Sequence, residues 1–335
     1  MPKFETSSSI TAGLQCPTLY KYKYVDLYRT LPTVAMFTGL TIHKGLEGFF
    51  SFMSLKESIN KMEEYMDQEL TGWTEDQAIA WEKMKVYLEC YFLKWSPDDL
   101  EGMDIYIEQE FRFKSDLGLE FGGKWDVLIY DPKTMTALIY EHKTTSSKLE
   151  SEADSYFAKL PLDVQCTIYR EAAYQFLTTK ECKLVEMPRL MYDVIKTTKS
   201  KPKTKKRIVR RKNETDAELL QRKEDAMETV REFGERIRDE YFPKDGESKK
   251  YFRHEVPYVA SNHKRRLIEL TEYAKLLSSK GFQEIRNSTS CGNYGGCAFM
   301  DVCLGRERLD DSLKFVKTEE KHPELDGKGN TKIQN

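Results

Sequence analysis

Three side chains that could together cleave a phosphodiester bond fall in one short stretch of the sequence, Gly122 to Ser146. They are Asp126, Glu141 and Lys143. Carboxylate oxygens are the ligands that Mg²⁺ and Mn²⁺ prefer, and an ammonium group beside them could orient a water molecule or neutralise a phosphate oxygen. The stretch therefore predicts a phosphodiester-cleaving site, provided that the fold brings the three side chains together.

A β-hairpin would bring them together. Runs with strand character at Trp125 to Tyr130 and at Thr136 to Lys143 flank a turn at Asp131 to Thr134, which contains a proline. This pairing places Asp126 opposite Glu141 or the residue before it, and the two-residue period puts both charged residues of the E-x-K motif on one face. The apolar runs predict buried strands, in which carboxylates need partners or a metal. The alternative is a half-exposed hairpin that turns its charges toward water.

The composition predicts a folded protein, long enough for two average domains or for one α/β core with large insertions. The chain has 335 residues, 12% of them aromatic, and its 53 Lys and Arg against 55 Asp and Glu give a net charge of -2. No overall basic charge therefore indicates a nucleic-acid partner. One segment, Lys196 to Lys212, has ten Lys or Arg and no acidic residue. It is either a solvated insertion or an arm that follows phosphates.

The sequence contains no signal peptide and no apolar run long enough to cross a membrane, so we expect a cytoplasmic protein with no membrane anchor. Disulfides are rare in that compartment, and the seven cysteines cannot all pair. Cys291, Cys297 and Cys303 follow a C-x5-C-x5-C spacing in a glycine-rich run. The pattern differs from the paired spacing of zinc knuckles, and iron-sulfur clusters accept looser spacings.

Cys16, next to a proline near the amino terminus, is the candidate fourth ligand. A cluster that included it would tie the two ends of the chain together, against a loop-closure cost of roughly 5 kcal/mol. The alternative is a set of buried or incidental thiols.

The remaining periodicities predict helices, then a sheet, then helices. The predicted elements are helices at Phe37 to Leu55 (with Leu40, Leu46, Phe49, Phe50 and Met53 in the core), Thr74 to Trp95, Leu162 to Leu177, Thr215 to Tyr241 and Asn262 to Ser279, strands at Met103 to Phe113 and Pro188 to Lys196, and a disordered tail from Thr318.

These residues resemble the RecB-like nucleases of the PD-(D/E)XK superfamily, in the branch that carries a [4Fe-4S] cluster, which includes CRISPR-associated and phage-encoded exonucleases. The matching elements, in order, are a cysteine before the core (Cys16), G-x3-H-x3-E (Gly39, His43, Glu47), G-x2-D (Gly123, Asp126), E-x-K (Glu141, Lys143), Q-x3-Y (Gln165, Tyr169) and three late cysteines. Many members of that branch space the late cysteines as C-x2-C-x5-C, so this chain departs from the commoner pattern in the first gap.

The resemblance implies a role for each of these residues. His43, Asp126, Glu141 and the backbone carbonyl of His142 would bind a catalytic Mg or Mn, and an imidazole ligand favours Mn. Lys143 would position the attacking water. Two further residues on one helix face, Gln165 and Tyr169, would contact DNA or support the site, unless that face only packs on the sheet. The four cysteines Cys16, Cys291, Cys297 and Cys303 would bind the [4Fe-4S] cluster.

The same resemblance implies an α/β fold with a mixed central sheet flanked by helices, and helical terminal parts joined by the cluster. We expect one nuclease domain over residues 1–317, made of a helical part (1–100), a core (101–195), a basic insertion with a charged helix (196–260) and a carboxy-terminal part (261–317), followed by a disordered tail (318–335).

The function implied is a metal-dependent DNA exonuclease in recombination, repair or phage DNA processing, with a recombination or helicase protein as partner, in the host cytoplasm if phage-encoded. Exonuclease or endonuclease action, polarity and strand preference stay open. A P-loop at Gly118 to Lys124 is excluded, because Trp125 replaces the Ser or Thr that would bind Mg²⁺. The competing class is a non-catalytic DNA-binding or assembly protein with a structural metal cluster.

Overall fold

The computed structural model describes residues 4–31, 33–69, 74–96, 100–147, 149, 155–243, 248–279, 282–293, 296–310, 313–325 and 331–334. The strands are β1 Phe4–Glu5, β2 Tyr28–Thr30, β3 Asp104–Ile107, β4 Glu110–Lys114, β5 Glu120–Lys124, β6 Val127–Asp131, β7 Thr136–Thr145, β8 Arg189–Lys196, β9 Tyr251–Glu255, β10 Phe315–Lys317 and β11 Thr331–Gln334. The helices are α1 Ser7–Gln15, α2 Pro17–Tyr20, α3 Val34–Phe50, α4 Leu55–Glu69, α5 Glu75–Lys94, α6 Ser155–Ala158, α7 Val164–Thr179, α8 Asp216–Asp225, α9 Val230–Tyr241, α10 Ala260–Leu277 and α11 Met300–Cys303.

A mixed six-stranded sheet in the order β11-β3-β6-β7-β8-β9 forms the centre of the molecule. Strands β7 and β8 are parallel, and the other neighbouring pairs are antiparallel. Helix α7 connects the parallel pair, as a crossover must. A smaller sheet, β1-β5-β4, packs nearby. The predicted mixed sheet flanked by helices is confirmed.

Apolar side chains cover the central sheet on both faces. One core cluster combines residues of β6 and β7 with α7 and α10, and includes Trp125, Ile139 and Ile168. The other combines the same strands with α3, α5 and α9, and includes Phe50 and Val127. A strand that is buried on both faces has apolar residues at successive positions. The hairpin sequence therefore does not alternate strictly between apolar and polar residues.

The first long helix is shifted from its predicted position. Helix α3 ends at Phe50 rather than at Leu55, and Phe52 two residues on has a positive φ of 58°. A separate helix, α4, then begins at Leu55. The predicted core residues Leu46, Phe49 and Phe50 are buried, whereas Leu40 and Met53 are 49% and 37% exposed. Those two predictions are wrong, because Leu40 lies on the open side of α3 and Met53 lies beyond its end.

Two other predicted elements are each divided. The strand predicted over Met103 to Phe113 is β3 followed by β4, and Glu108 between them has a positive φ of 50°. The helix predicted over Thr215 to Tyr241 is α8 followed by α9, with Thr229 capping the second helix. The sequence reasoning also missed β9, which extends the central sheet. Propensity alone does not show where a chain changes direction between buried elements.

Residues 318–325 pack against the amino-terminal strand, in contrast to the predicted disordered tail. The Lys321 ammonium pairs with the buried Glu5 carboxylate, which also accepts hydrogen bonds from Tyr20 (2.9 Å) and Ser278 (2.9 Å). The His322 ring is 4.8 Å from the ring of Phe4. These contacts hold the two ends of the chain together on one side of the molecule. The last described residues, 331–334, form β11 at the sheet edge.

Within the part of the chain that the structure describes, none of the helices has the length and apolar character that a membrane span requires.

Candidate active site

The hairpin of β6 and β7 places the predicted carboxylates side by side. The register pairs Val127 with Tyr140, so Asp126 stands next to the strand position of Glu141. The backbone N–H of His142 donates to Asp126 Oδ2 at 2.8 Å, which fixes the orientation of that carboxylate. Asp126 and Glu141 therefore lie close together on neighbouring strands in the middle of the sheet, as the sequence predicted.

The two charged residues of the E-x-K motif are in contact with each other and with helix α7. Lys143 Nζ lies 2.5 Å from Glu141 Oε1, and Gln165 Nε2 donates to the same carboxylate oxygen at 2.8 Å. Lys143 also donates to Gln165 Oε1 at 3.1 Å. Glu141 is 3% exposed, and its second oxygen, Oε2, is buried without a hydrogen-bond partner among the described residues. A buried carboxylate oxygen of this kind suits a cation ligand.

Helix α3 contributes His43, as the G-x3-H pattern predicted. Its Nδ1 atom lies 3.4 Å from Asp126 Oδ1. Ligands at neighbouring positions around an octahedral Mg²⁺ lie about 3 Å apart, since each is about 2.1 Å from the ion. Small side-chain adjustments would therefore let His43 and Asp126 bind one divalent cation.

Glu108 is a member of this site that sequence reasoning missed. Ligand atoms of His43, Glu108 and Asp126 lie within 4.8 Å of one another, and Glu141 flanks this group. Glu108 occupies the break between β3 and β4, where its backbone N–H donates to the carbonyl of Asp126 at 3.0 Å. Its carboxylate pairs with Lys124, which lies on a strand and not at the start of a P-loop helix. The positive φ that turns Glu108 inward has no marker in the sequence.

The carboxylates of Glu108, Asp126 and Glu141 concentrate negative charge in a buried part of the protein. Burial and the neighbouring Asp126 raise the pKa of Glu141 to about 7, and the same two causes raise the pKa of Glu108. Burial alone would lower the pKa of His43, but the Asp126 carboxylate dominates and raises it to about 9. Burial opposes the charged form of Asp126, yet His43 holds the Asp126 pKa below its usual range. The carboxylates therefore gain from a bound cation, which would relieve their repulsion.

The lysine remains charged in this setting. Burial would lower the pKa of Lys143, but the Glu141 carboxylate outweighs that effect and raises it above the ordinary value. A permanent positive charge beside a carboxylate can hold a phosphate oxygen as well as a water molecule.

A buried polar network supports β7 from the opposite face. Asp193 on β8 accepts hydrogen bonds from Tyr91 (2.5 Å) and Arg253, and its Oδ2 lies 3.0 Å from His142 Nδ1. Asp193 is 2% exposed. Burial alone would raise its pKa, but His142 and Arg253 hold the pKa below the usual range. Sequence reasoning did not identify this residue, because its partners come from a helix and two other strands.

The Q-x3-Y residues both lie on α7 but differ in their surroundings. Gln165 contacts Glu141 and Lys143 directly, as described above. Tyr169 is 7% exposed, and its ring is 5.4 Å from the ring of Phe111. Its backbone carbonyl accepts a hydrogen bond from the indole of Trp125. Gln165 therefore contacts the E-x-K pair directly, and Tyr169, whose side chain hydrogen-bonds with Gln165, packs α7 against the sheet.

Two clefts open on either side of the carboxyl end of β7. One, of about 420 Å³, is lined by Lys143 and Gln165 together with Lys23 and Lys159. The other, of about 370 Å³, begins at Thr144.

The four predicted cysteine ligands gather around a single cavity far from the carboxylates in the sequence. Cys16, Cys291, Cys297 and Cys303 all line this cavity, which has a volume of about 290 Å³. Burial raises the pKa of the Cys297 thiol, and the other three thiols add to the effect, which reflects their closeness. The backbone N–H of Asn287 donates to the Cys16 sulfur at 3.4 Å.

The fold is a mixed α/β sheet flanked by helices, and His43, Glu108 and Asp126 form a group that could hold a divalent cation. A family model described as the PD-(D/E)XK nuclease superfamily matches residues 6–304, and the chain belongs to that superfamily. No curated protein sequence matches the chain.

Among solved structures, the chain is similar to a protein from Eubacterium rectale that is provisionally named an exonuclease. The two share 11% sequence identity, with a TM-score of 0.47, over 93% of this chain and 91% of that chain. A likeness at this level carries no functional argument.

Proposed function

We propose that the protein is a divalent-cation-dependent DNA nuclease of the RecB-like branch, acting as an exonuclease in recombination, repair or phage DNA processing. The observation that carries the proposal is that Asp126, Glu141 and Lys143 of the β6–β7 hairpin lie close together beside His43 of helix α3. In a nuclease superfamily, this set of side chains matches the chemistry of hydrolysis. The same proposal includes cytoplasmic location and a recombination or helicase protein as partner.

The residues divide the chemistry between them. His43, Asp126, Glu141 and the carbonyl of His142, with Glu108 in addition, would hold Mg²⁺ or Mn²⁺. A cation there would polarise the phosphate and lower the pKa of water. Lys143, held by Glu141 and Gln165, would orient the attacking water and stabilise the charge that develops on the phosphate. Burial of Glu141 keeps bulk water from competing with these contacts.

Cation binding can be measured separately from cleavage. We expect Mn²⁺ to bind wild-type protein with a paramagnetic resonance signal distinct from that of the aqueous ion. Asp126→Asn should weaken binding by about 10-fold or more, because Asp126 is central to the group. Asp131→Asn, in the exposed turn of the same hairpin, is the matched control and should bind Mn²⁺ like the wild type. Equal affinity in Asp126→Asn and wild type would show that the cation binds elsewhere.

We further propose that the four cysteines hold a [4Fe-4S] cluster, which would join the amino-terminal and carboxy-terminal parts of the chain. The cavity that all four cysteines line and the C-x5-C-x5-C spacing, which differs from that of zinc knuckles, support this assignment. Iron-sulfur clusters are held by four cysteine thiolates, and the chain supplies four.

Colour and metal content test the cluster. Protein purified without oxygen should be brown and contain iron and sulfide, and Cys297→Ser should lose most of both. Cys182→Ser changes a cysteine outside the cavity and should keep them. A colourless wild-type protein with stoichiometric zinc would overturn the assignment.

A further inference from the structure

The cleft that begins at Thr144 combines hydroxyl groups with two lysines, of which Lys199 belongs to the basic segment and Lys83 to none of the motifs identified in the sequence. Its lining residues are the hydroxyl residues Thr38, Tyr87, Thr144, Thr145, Ser146, Thr197 and Thr198, the lysines Lys83 and Lys199, and the apolar Val34, Ala35 and Ala80. Lys201 lies close enough to Lys83 to affect its ionisation. Hydroxyl and ammonium groups are the side-chain donors that most often contact nucleic-acid phosphates.

Within the part of the chain that the structure describes, no carboxylate oxygen lies within salt-bridge distance of the ammonium groups of Lys83, Lys199 and Lys201, although Asp76 exerts a weaker attraction on Lys83. Burial lowers the pKa of Lys83, and Lys201 lowers it further. Like charges that gather without counterions repel one another, and an external anion would relieve that repulsion.

The rest of the basic segment is neutralised in a different way. Lys205 pairs with Glu232 at 2.7 Å, and Arg210 pairs with Asp216 at 2.7 Å. The backbone N–H of Lys203 donates to Glu228. These contacts fasten the later half of the segment to helices α8 and α9. The structure thus divides the segment that sequence reasoning treated as one unit, and among the described residues Lys199 and Lys201 have no ion-pair partner.

The groove adjoins the carboxylate site on two elements. Thr144 follows Lys143 directly on β7, and the Thr144 hydroxyl would lie 3.2 Å from a Cβ atom added at Gly39. Thr38 precedes His43 by five residues on α3, which is about 7.5 Å along the helix. The groove therefore lies beside the carboxylate site, close to where the scissile phosphate would sit.

We propose that Lys83, Lys199 and Lys201, with the hydroxyls of this groove, bind the phosphodiester backbone of the DNA strand next to the point of cleavage. This inference rests on the proposed nuclease function and adds a binding subsite to it. The groove reads no base sequence, because lysine acts as a point charge without the planar donor pairs that recognise base edges.

The salt dependence of DNA binding tests this subsite. We compare Lys83→Gln/Lys199→Gln/Lys201→Gln with the control Lys206→Gln/Arg207→Gln/Lys212→Gln, which removes the same charge from exposed positions farther along the segment. Affinity for a labelled single-stranded DNA is measured without divalent cation, between about 50 and 200 mM salt. Each phosphate contact contributes about 0.7 to the slope of log affinity against log salt. The groove variant should lose about 2 from the slope, and the control less than 0.7.

An unchanged slope in the groove variant, or an equal loss in the control, would overturn the subsite. If the half-buried Lys83 is needed for folding, Lys199→Gln/Lys201→Gln replaces the triple variant and should lose about 1.4 from the slope. Cleavage by wild-type protein is measured separately with Mn²⁺. If wild-type protein cleaves DNA but the groove variant has an unchanged salt slope, only the subsite proposal is wrong. If the groove variant has a reduced salt slope but wild-type protein does not cleave DNA, only the nuclease proposal is wrong.

Discussion

Glu141→Ala and Lys143→Ala should each reduce metal-dependent DNA cleavage by about 10³-fold or more, while DNA binding without metal stays within a few-fold of wild type. The Glu141→Ala variant loses the contact with Lys143 and the buried oxygen Oε2 that is available to a cation. Lys143→Ala removes the permanent positive charge from the centre. The measurement is the initial rate of release of label from end-labelled DNA, beside a binding assay in chelator.

The matched control is Lys133→Ala, which removes a lysine from the exposed turn at the far end of the same hairpin. It should cleave DNA at the wild-type rate. Equal cleavage by wild type, Glu141→Ala and Lys143→Ala, after repurification excludes a contaminating nuclease, would contradict the catalytic assignment and favour the DNA-binding or assembly class.

Asp193→Ala should lower the free energy of unfolding by about 3 to 5 kcal/mol, the largest stability effect that we expect from a single substitution at a polar residue. The change would leave Arg253 and His142 facing a buried space without their carboxylate, and would remove the acceptor of the Tyr91 hydroxyl. Urea denaturation followed by fluorescence gives the free energy. The part of strand β7 that carries Glu141 should become less rigid as well.

Two comparisons separate this network from a general effect of substitution. Tyr91→Phe removes two hydrogen bonds, the one that the hydroxyl donates to Asp193 and the one that it accepts from Arg253, and should cost only about 2 kcal/mol. Asp216→Ala removes an exposed carboxylate, 91% accessible, and should leave stability unchanged. A loss below 1 kcal/mol in Asp193→Ala would show that water enters the space and replaces the carboxylate.

Local pattern was enough to predict the hairpin and the closeness of its charged side chains. The period of two along β7 and the turn at Asp131 fix which residues share a face, so Asp126, Glu141 and Lys143 could be assigned before the fold was known. His43 and Gln165 were predicted only through the resemblance, because no periodicity connects α3 or α7 to this strand. The thiol group was predicted from composition, since three clustered cysteines in a glycine-rich run lack an ordinary packing role.

Other parts of the site depend on contacts that sequence pattern does not record. Glu108 enters the site through a positive φ between two strands, a conformation that ordinary residues rarely adopt. Asp193 is placed by partners on α5, β7 and β9, far apart in the chain. Leu40 looked like a core position because its spacing is helical, yet the helix turns that face outward. In each case tertiary packing, and not local propensity, decides the outcome.

The most direct test of the central proposal is incubation of the wild-type protein with Mn²⁺ or Mg²⁺ on end-labelled linear DNA and on circular DNA, each single-stranded and double-stranded, with chelator as control. The proposed exonuclease degrades linear DNA only when cation is present and leaves circles intact, and the label released first gives the polarity. Cleavage of circular DNA would show that the enzyme is an endonuclease rather than an exonuclease. If folded, metal-loaded protein leaves every DNA intact with both cations, the assignment of Asp126, Glu141 and Lys143 to phosphodiester cleavage is wrong.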